Sequence, residues 1–133
     1  MNTTSSITVN RVGAALMAGV AAIHLVLAPE YLGEQPYVGV LFLLGAAAGA
    51  VIAARLWRAA DRVTWALGAA LSAAMAAGFV LSRTVGLPGF HESEWELSGL
   101  LSLLLEGGFV AAALSAAVGD DQIRQHAGGE ARG

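Results

Sequence analysis

The feature that most constrains this chain is a set of four long apolar blocks separated by short polar connections. In chain order they are Val12–Ala28, Val38–Trp57, Val63–Ser82 and Leu97–Val118. Each is close to the ~20 residues that an α-helix needs to cross the ~30 Å hydrocarbon core of a bilayer. Because lipid offers the backbone no hydrogen-bond partners, apolar spans of this length fold as helices. The sequence therefore predicts an all-α integral membrane protein, a four-helix bundle with four transmembrane helices in up-down-up-down order.

The overall composition supports a membrane protein and excludes several other classes. Hydrophobic residues make up 56% of the 133 residues and charged residues only 13%, whereas soluble domains average about 25% charged residues. The chain has no cysteine, which excludes disulfides, thiolate metal sites and covalently attached c-type haem. The net charge of −3 and the scattered basic residues give no support to nucleic-acid binding.

The distribution of arginines predicts how the chain is oriented. Six of the seven basic residues flank the same ends of the spans, and they are Arg11, Arg55, Arg58, Arg62, Arg124 and Arg132. Arg83 alone lies on the other side. Loops rich in basic residues stay in the cytoplasm. We therefore expect a multi-pass protein of the bacterial plasma (inner) membrane with both termini cytoplasmic and the acidic loops outside.

The segments between and beyond the spans divide the chain into three parts. Residues 1–10 and 119–133 are polar, so we expect flexible tails on either side of a transmembrane domain at 11–118. Pro29 and Pro36 bracket the first connection, and we expect that neither proline continues a helix. Gly45 and Gly49 in the second span predict close approach of a neighbouring helix.

Glu106 is the residue that most strongly indicates a functional site. It lies ~13 Å along the fourth helix from Leu97, near the middle of the bilayer, where charges are costly and usually functional. Ser98, Ser102 and Glu106 follow one another at four-residue spacing and so share one helix face. Two interpretations stay open: a role with a ligand, metal or protons, or a protonated side chain bonded within the bundle, with Ser72 as a plausible partner.

Histidines and a loop carboxylate offer ligands for a metal ion. His24 lies near the outer end of the first span, and His91 and Glu92 lie in the acidic outer loop. Imidazole and carboxylate groups can bind zinc, iron or copper, and imidazole can also bind haem iron. We predict His24, His91 and Glu92 as candidate metal ligands. The alternative for His24 is a neutral ring bonded to a neighbouring helix.

Arg83 and the residues around it suggest a second kind of ligand. Arg83 can snorkel to the lipid head groups, pair with Glu30 or Glu92, or bind an anionic ligand. Glu30 and Tyr31 are expected at the rim of the same outward-facing site. A lipid-like or quinone-like molecule is predicted to lie against Ser98, Ser102 and Glu106, under a loop whose Gly86 and Gly89 suit a lid.

These features favour binding over stand-alone catalysis. The sequence contains no nucleotide-binding loop and no paired nucleophile and base. We expect an accessory or binding subunit that lies in the lipid bilayer and assembles as a homo-oligomer or with other membrane subunits. The alternative function is a small proton-coupled transporter that uses Glu106.

Two stretches also resemble a group of known proteins. The segment HLVLAPEYLGE at 24–34, together with SRTVGLPGF and EWELSGLLSLLLE between 82 and 106, resembles uncharacterised small four-span membrane proteins of high-GC bacteria. In size and helix count the chain is also similar to DoxX-like four-span proteins. The resemblance implies the four-span fold and brings no activity with it.

Overall fold

The computed structural model describes residues 3–131 and consists of four α-helices. They are α1 (Thr3–Glu34), α2 (Pro36–Arg58), α3 (Arg62–Arg83) and α4 (Leu97–Glu130). All four are long and apolar enough to cross a membrane. No strand occurs in the described residues, where the only β feature is one isolated bridge in the loop before α4. The predicted all-α membrane bundle is confirmed.

The helices form a ring in which each packs on two neighbours. α1 contacts α2 and α4, and α3 contacts α4 and α2; the α1–α2 interface is the most extensive and the α2–α3 interface the sparsest. Small residues bring α1 and α2 together: a Cβ atom added at Gly49 would lie 3.2 Å from the Cβ of Ala21. The close packing predicted for the glycines of the second span is therefore present, and the loosest boundary lies between α2 and α3.

A tightly filled core occupies the half of the bundle nearest the α2–α3 connection. Met17, Leu56 and Phe109 are almost completely buried there, and the rings of Trp65 and Phe109 lie 5.3 Å apart. Gly68 makes room for these rings, since a Cβ at this position would overlap Phe109. Dense packing at this end leaves the opposite half of the bundle as the place for a cavity.

Ion pairs hold the arginine-rich end of the bundle together. Asp61 caps α3, accepting the Thr64 backbone N–H at 2.7 Å, and this bond lowers the pKa of the Asp61 carboxyl. The same carboxylate pairs with Arg55 at 3.1 Å, and Arg62 pairs with Asp121 on α4 at 2.6 Å. The polar connection between α2 and α3 is thus attached to both of its neighbours.

The first and last helices, α1 and α4, extend beyond the apolar blocks of the sequence. α1 begins at Thr3 and α4 continues to Glu130, so residues 3–10 and 119–130, predicted as tails, are helical; the rest of those predicted tails lies outside the described residues. α1 also runs through Pro29 and only Gln35 separates it from α2. Once a helix has formed, extending it is far easier than starting one, so polar residues and a single lost hydrogen bond do not end it. Pro36 is the first residue of α2, two residues before the apolar block begins.

Candidate functional site

A cavity of about 420 Å³ lies in the bundle half opposite the tightly filled core. Its volume falls in the range of about 300–1,000 Å³ typical of small-molecule sites. All four helices contribute to a wall that is mainly apolar. The polar residues of the wall are His24, Tyr31, Ser82, Arg83, Glu96, Ser98, Ser102 and Glu106.

The loop between α3 and α4 folds over this end of the bundle. Its centre is a tight turn in which the backbone groups of Leu87 and Phe90 bond to each other at 2.7 and 2.9 Å. Pro88 and Gly89 form the corner, and Gly89 has φ +65°, as the third residue of a type II turn requires. The turn is therefore a defined structure rather than an irregular connection.

Side chains from the α1–α2 corner attach the loop to the rest of the bundle. The Tyr37 hydroxyl donates to the Pro88 carbonyl at 2.7 Å, and the Gln35 side chain donates to the Gly89 carbonyl at 2.8 Å. Phe90 packs edge-on against the Tyr31 ring at 5.7 Å. We call residues 84–96 the cap, because these contacts hold them across the cavity end of the bundle.

Arg83 is a buried cation that lines the cavity and is held by uncharged groups. It is only 9% exposed, its Nε donates to the Glu94 carbonyl at 3.0 Å, and its Nη1 donates to Ser82 Oγ at 2.7 Å. The guanidinium lies 3.9 Å from the centre of the Phe79 ring. Within residues 3–131 no carboxylate lies within 4.0 Å of it, so it does not form the pairs considered with Glu30 and Glu92.

Glu106 lies deep in the cavity, and only one of its two carboxyl oxygens is hydrogen-bonded within the described residues. The side chain is 2% exposed, and Oε1 accepts a hydrogen bond from Ser102 Oγ at 2.7 Å. Oε2 is buried with no hydrogen-bond partner in the described part of the chain, and the same is true of Ser72 Oγ. The bond considered between Ser72 and Glu106 is therefore absent. Ser98, Ser102 and Glu106 do line the cavity together, as their spacing predicts.

His24 presents one free ring nitrogen. Its Nδ1 lies 2.9 Å from the Val20 carbonyl, which can only accept, so Nδ1 carries the proton and Nε2 of the neutral ring is an acceptor. The ring packs against Phe42 at 4.8 Å. Among residues 3–131, Nε2 has no hydrogen-bond partner. The hydrogen bond of His24 is therefore made within α1 and not to a neighbouring helix, as the alternative interpretation supposed.

The three residues predicted as metal ligands are not brought together. His24 lines the cavity, whereas His91 and Glu92 belong to the cap and do not line it. His91 packs beside Gly86, and the Glu92 backbone N–H bonds to the Ser82 carbonyl at 2.9 Å. The described residues contain no group of three His, Cys, Asp or Glu side chains that could hold a metal ion. Burial raises the pKa of the Glu92 carboxyl.

The rim differs from the prediction in two residues. Tyr31 lines the cavity but Glu30 is exposed and does not, because successive helical residues point in different directions. Glu96, which was not among the predicted site residues, does line it. The sequence did contain a signal for Glu96: it lies directly before α4, the helix on which Ser98, Ser102 and Glu106 share one face.

Comparison with known proteins adds no family to this description. No protein-family model, curated protein or solved structure matches this chain. The chemistry of the cavity itself therefore indicates what it can bind. Apolar walls, a cation near the cap, and an acceptor nitrogen and a carboxyl group deeper inside suit a molecule that has both a polar group and an apolar body.

Proposed function

We propose that this protein is a small membrane protein that binds an amphiphilic, lipid-like or quinone-like molecule in the cavity, as a binding or accessory subunit rather than a stand-alone catalyst. The observation that carries the proposal is one apolar cavity whose wall includes polar groups with unused bonding capacity. Those groups are Glu106 Oε2, His24 Nε2 and the Arg83 guanidinium. Glu106 Oε2 is buried without a partner among the described residues, which is costly, and a ligand group that donates to it removes that cost.

The boundary between α2 and α3 supports an apolar ligand body. This is the sparsest of the helix interfaces, and a shallow groove of about 560 Å³ continues along it. Ala48 and Leu71 line both the groove and the cavity, and Leu44 of the cavity wall is 61% exposed on the outer surface. An alkyl or isoprenoid chain can pass from the lipid into the cavity along this continuous apolar surface.

The charge distribution supports the orientation of the site. The described basic residues other than Arg83 lie at the end of the bundle opposite the cavity and its cap. Basic residues are retained on the cytoplasmic side, so in a bacterial plasma membrane the cavity faces outward and both termini are cytoplasmic. The ligand's polar group then lies at the outer head-group level and its apolar body within the outer leaflet.

Filling the cavity tests the proposal. Gly78 lines the cavity and a Cβ there would meet no other atom within 4 Å, so Gly78→Leu introduces a side chain on the cavity wall from a position where its first carbon is not crowded. Gly107 is equally open but lies outside the cavity, so Gly107→Leu is the matched control. The full chain is purified in mild detergent, and retained lipids and quinones are extracted and identified by mass spectrometry.

We expect a retained amphiphile in near-stoichiometric amount in the wild type and in Gly107→Leu, and clearly less in Gly78→Leu. An empty wild-type protein, or equal retention in the two variants, would contradict the proposal. The mass of the detergent-solubilised particle, measured in the same preparation, shows whether the protein is a homo-oligomer or carries other subunits.

The buried, half-bonded Glu106 favours one second candidate, a small proton-coupled transporter. An intramembrane carboxyl group can take up and release protons during transport. In reconstituted liposomes, substrate flux that depends on a proton gradient and is abolished by Glu106→Gln would support this function. Ligand retention without flux would support the binding function.

A further inference from the structure

We propose that the bound amphiphile carries a zwitterionic head group, with a phosphate bound by Arg83 and an ammonium group bound by Glu96, as in phosphatidylethanolamine. This inference rests on the proposed binding of an amphiphile and specifies its polar part. It starts from the two opposite charges that line one cavity without pairing with each other.

Arg83 has the features of an anion-binding residue. It is the last residue of α3, so it lies at the depth of lipid head groups, and its Nε and Nη1 bonds and the Phe79 ring fix its orientation. Arginine suits phosphate because its guanidinium offers several donors in a planar fork. A buried charge without a carboxylate partner is costly, and a phosphate oxygen would offset that cost.

Glu96 supplies the opposite charge. It occupies the N-cap position of α4, but its side chain makes no capping hydrogen bond, and it has no ion-pair partner within residues 3–131. Arg83 ends α3 and Glu96 directly precedes α4, and both line the cavity at the end that the cap covers. No Glu96 oxygen lies within 4.0 Å of the Arg83 guanidinium, so the two charges do not form a direct ion pair. A short ethylene bridge between phosphate and ammonium suits such a separation.

The surrounding carboxylates favour a zwitterion over a purely anionic lipid. Glu92 is close enough to Arg83 to interact with it electrostatically, and Glu34, Glu94 and Glu96 interact with Glu92 in turn. A ligand with a net negative charge would approach Arg83 against this acidic surrounding. A head group with no net charge meets the arginine with its phosphate and the carboxylates with its ammonium.

Lipid titrations of the purified full chain, stripped of retained lipid in detergent, test the inference. The probes are short-chain phosphatidylethanolamine, phosphatidylglycerol and diacylglycerol, and the affinities follow from the rise in melting temperature with lipid concentration. For wild type we expect phosphatidylethanolamine to bind most tightly and diacylglycerol least. Arg83→Gln should weaken both phospholipids by at least about tenfold, whereas Arg83→Lys, which keeps the charge, should lose less.

Glu96→Gln should weaken phosphatidylethanolamine and leave phosphatidylglycerol unchanged or tighter. The controls are Arg58→Gln at the far end of the bundle and Glu30→Gln, an exposed carboxylate at the cavity end; neither residue lines the cavity, and both variants should bind as wild type does. Equal affinity for phosphatidylethanolamine and phosphatidylglycerol would overturn the role of Glu96. Equal affinity for diacylglycerol would overturn the head-group inference but leave the proposed function standing. Binding of none of the three lipids would overturn the head-group inference, and an empty wild-type protein in the retention experiment would overturn the proposed function as well.

Discussion

Replacing Glu106 by leucine is expected to stabilise the fold, although this side chain lies in the proposed site. One carboxyl oxygen accepts a hydrogen bond from Ser102, and the other is buried without a partner in the part of the chain that the structure describes. A buried polar atom left unpaired costs about 1–3 kcal/mol, whereas a side-chain hydrogen bond within a membrane bundle contributes about 0.6 kcal/mol on average. Leucine removes both effects, and the Ser102 hydroxyl that it releases can donate to the carbonyl four residues earlier in its own helix, as Ser115 does. The free energy of unfolding should therefore rise by roughly 0.4–2.4 kcal/mol, the difference between the two effects.

The partner residue provides the opposite perturbation. Ser102→Ala removes the one hydrogen bond that Glu106 makes within residues 3–131 and leaves neither carboxyl oxygen with a partner there, so it should lower the free energy of unfolding by about 1–3 kcal/mol. Ser115→Ala is the matched control, since this exposed hydroxyl bonds only to the Ala111 carbonyl of its own helix. Its effect should stay within about 0.5 kcal/mol.

Unfolding by sodium dodecyl sulfate titration in mild detergent, followed by circular dichroism, measures all three variants. The reasoning is refuted if Glu106→Leu lowers the free energy of unfolding by more than about 1 kcal/mol, the size of a full hydrogen bond, because the carboxyl group would then be fully paired. A stabilised variant that also loses its retained amphiphile would show the usual exchange of stability for function at a binding site.

Three further predictions concern packing, pH and orientation. A Cβ at Gly99 would overlap the Phe79 ring, so Gly99→Ala should destabilise the α3–α4 interface by about 1–3 kcal/mol. Gly107 lies in open space, so Gly107→Ala should be neutral or stabilising by up to about 1 kcal/mol. Equal effects of the two substitutions in the same unfolding assay would contradict the packing described. Burial raises the pKa of Glu92 above its ordinary 4.5, so its contribution to stability is fully present below that ordinary value and is lost as pH rises through the higher folded value. Melting temperatures of wild type and Glu92→Gln should therefore differ in pH dependence across this window, and parallel profiles would exclude the effect. Because the chain has no cysteine, Ala60→Cys and Ser93→Cys report orientation directly: an impermeant thiol reagent added to intact cells should label position 93 and not position 60, and the reverse pattern would invert the topology.

The fold was predictable because the bilayer requires it of any chain with four apolar blocks of this length. The helix ends were less predictable, since local composition does not show how far a formed helix propagates. Pro29 is the clearest case: the same residue that usually ends a helix lies within α1. There the buried Tyr31 packs on Phe42 at 4.5 Å and holds the last turns in place.

The candidate site was predictable where it depends on spacing within one helix. Ser98, Ser102 and Glu106 share a face because of helical periodicity alone. It was harder to predict which residues of different helices come together, because this depends on helix register and on the path of the cap. The sequence therefore placed Ser72 beside Glu106 and grouped His24 with His91. Whether the residues that line the cavity bind a ligand stays a prediction.

The contact between α1 and α4 closes the ring of helices. Every helix therefore keeps its two neighbours even if the chain starts at a different helix. Both helices extend at the arginine-rich end, where the start of α1 and the end of α4 lie on the same side. A linker joining the first residue to the last would turn the chain into a circle. New ends opened after the exposed Ala59, in the connection between α2 and α3, would give a permuted protein with the same four interfaces. In such a protein the cap, the cavity and the α2–α3 groove would be assembled from helices whose biosynthetic order begins at α3.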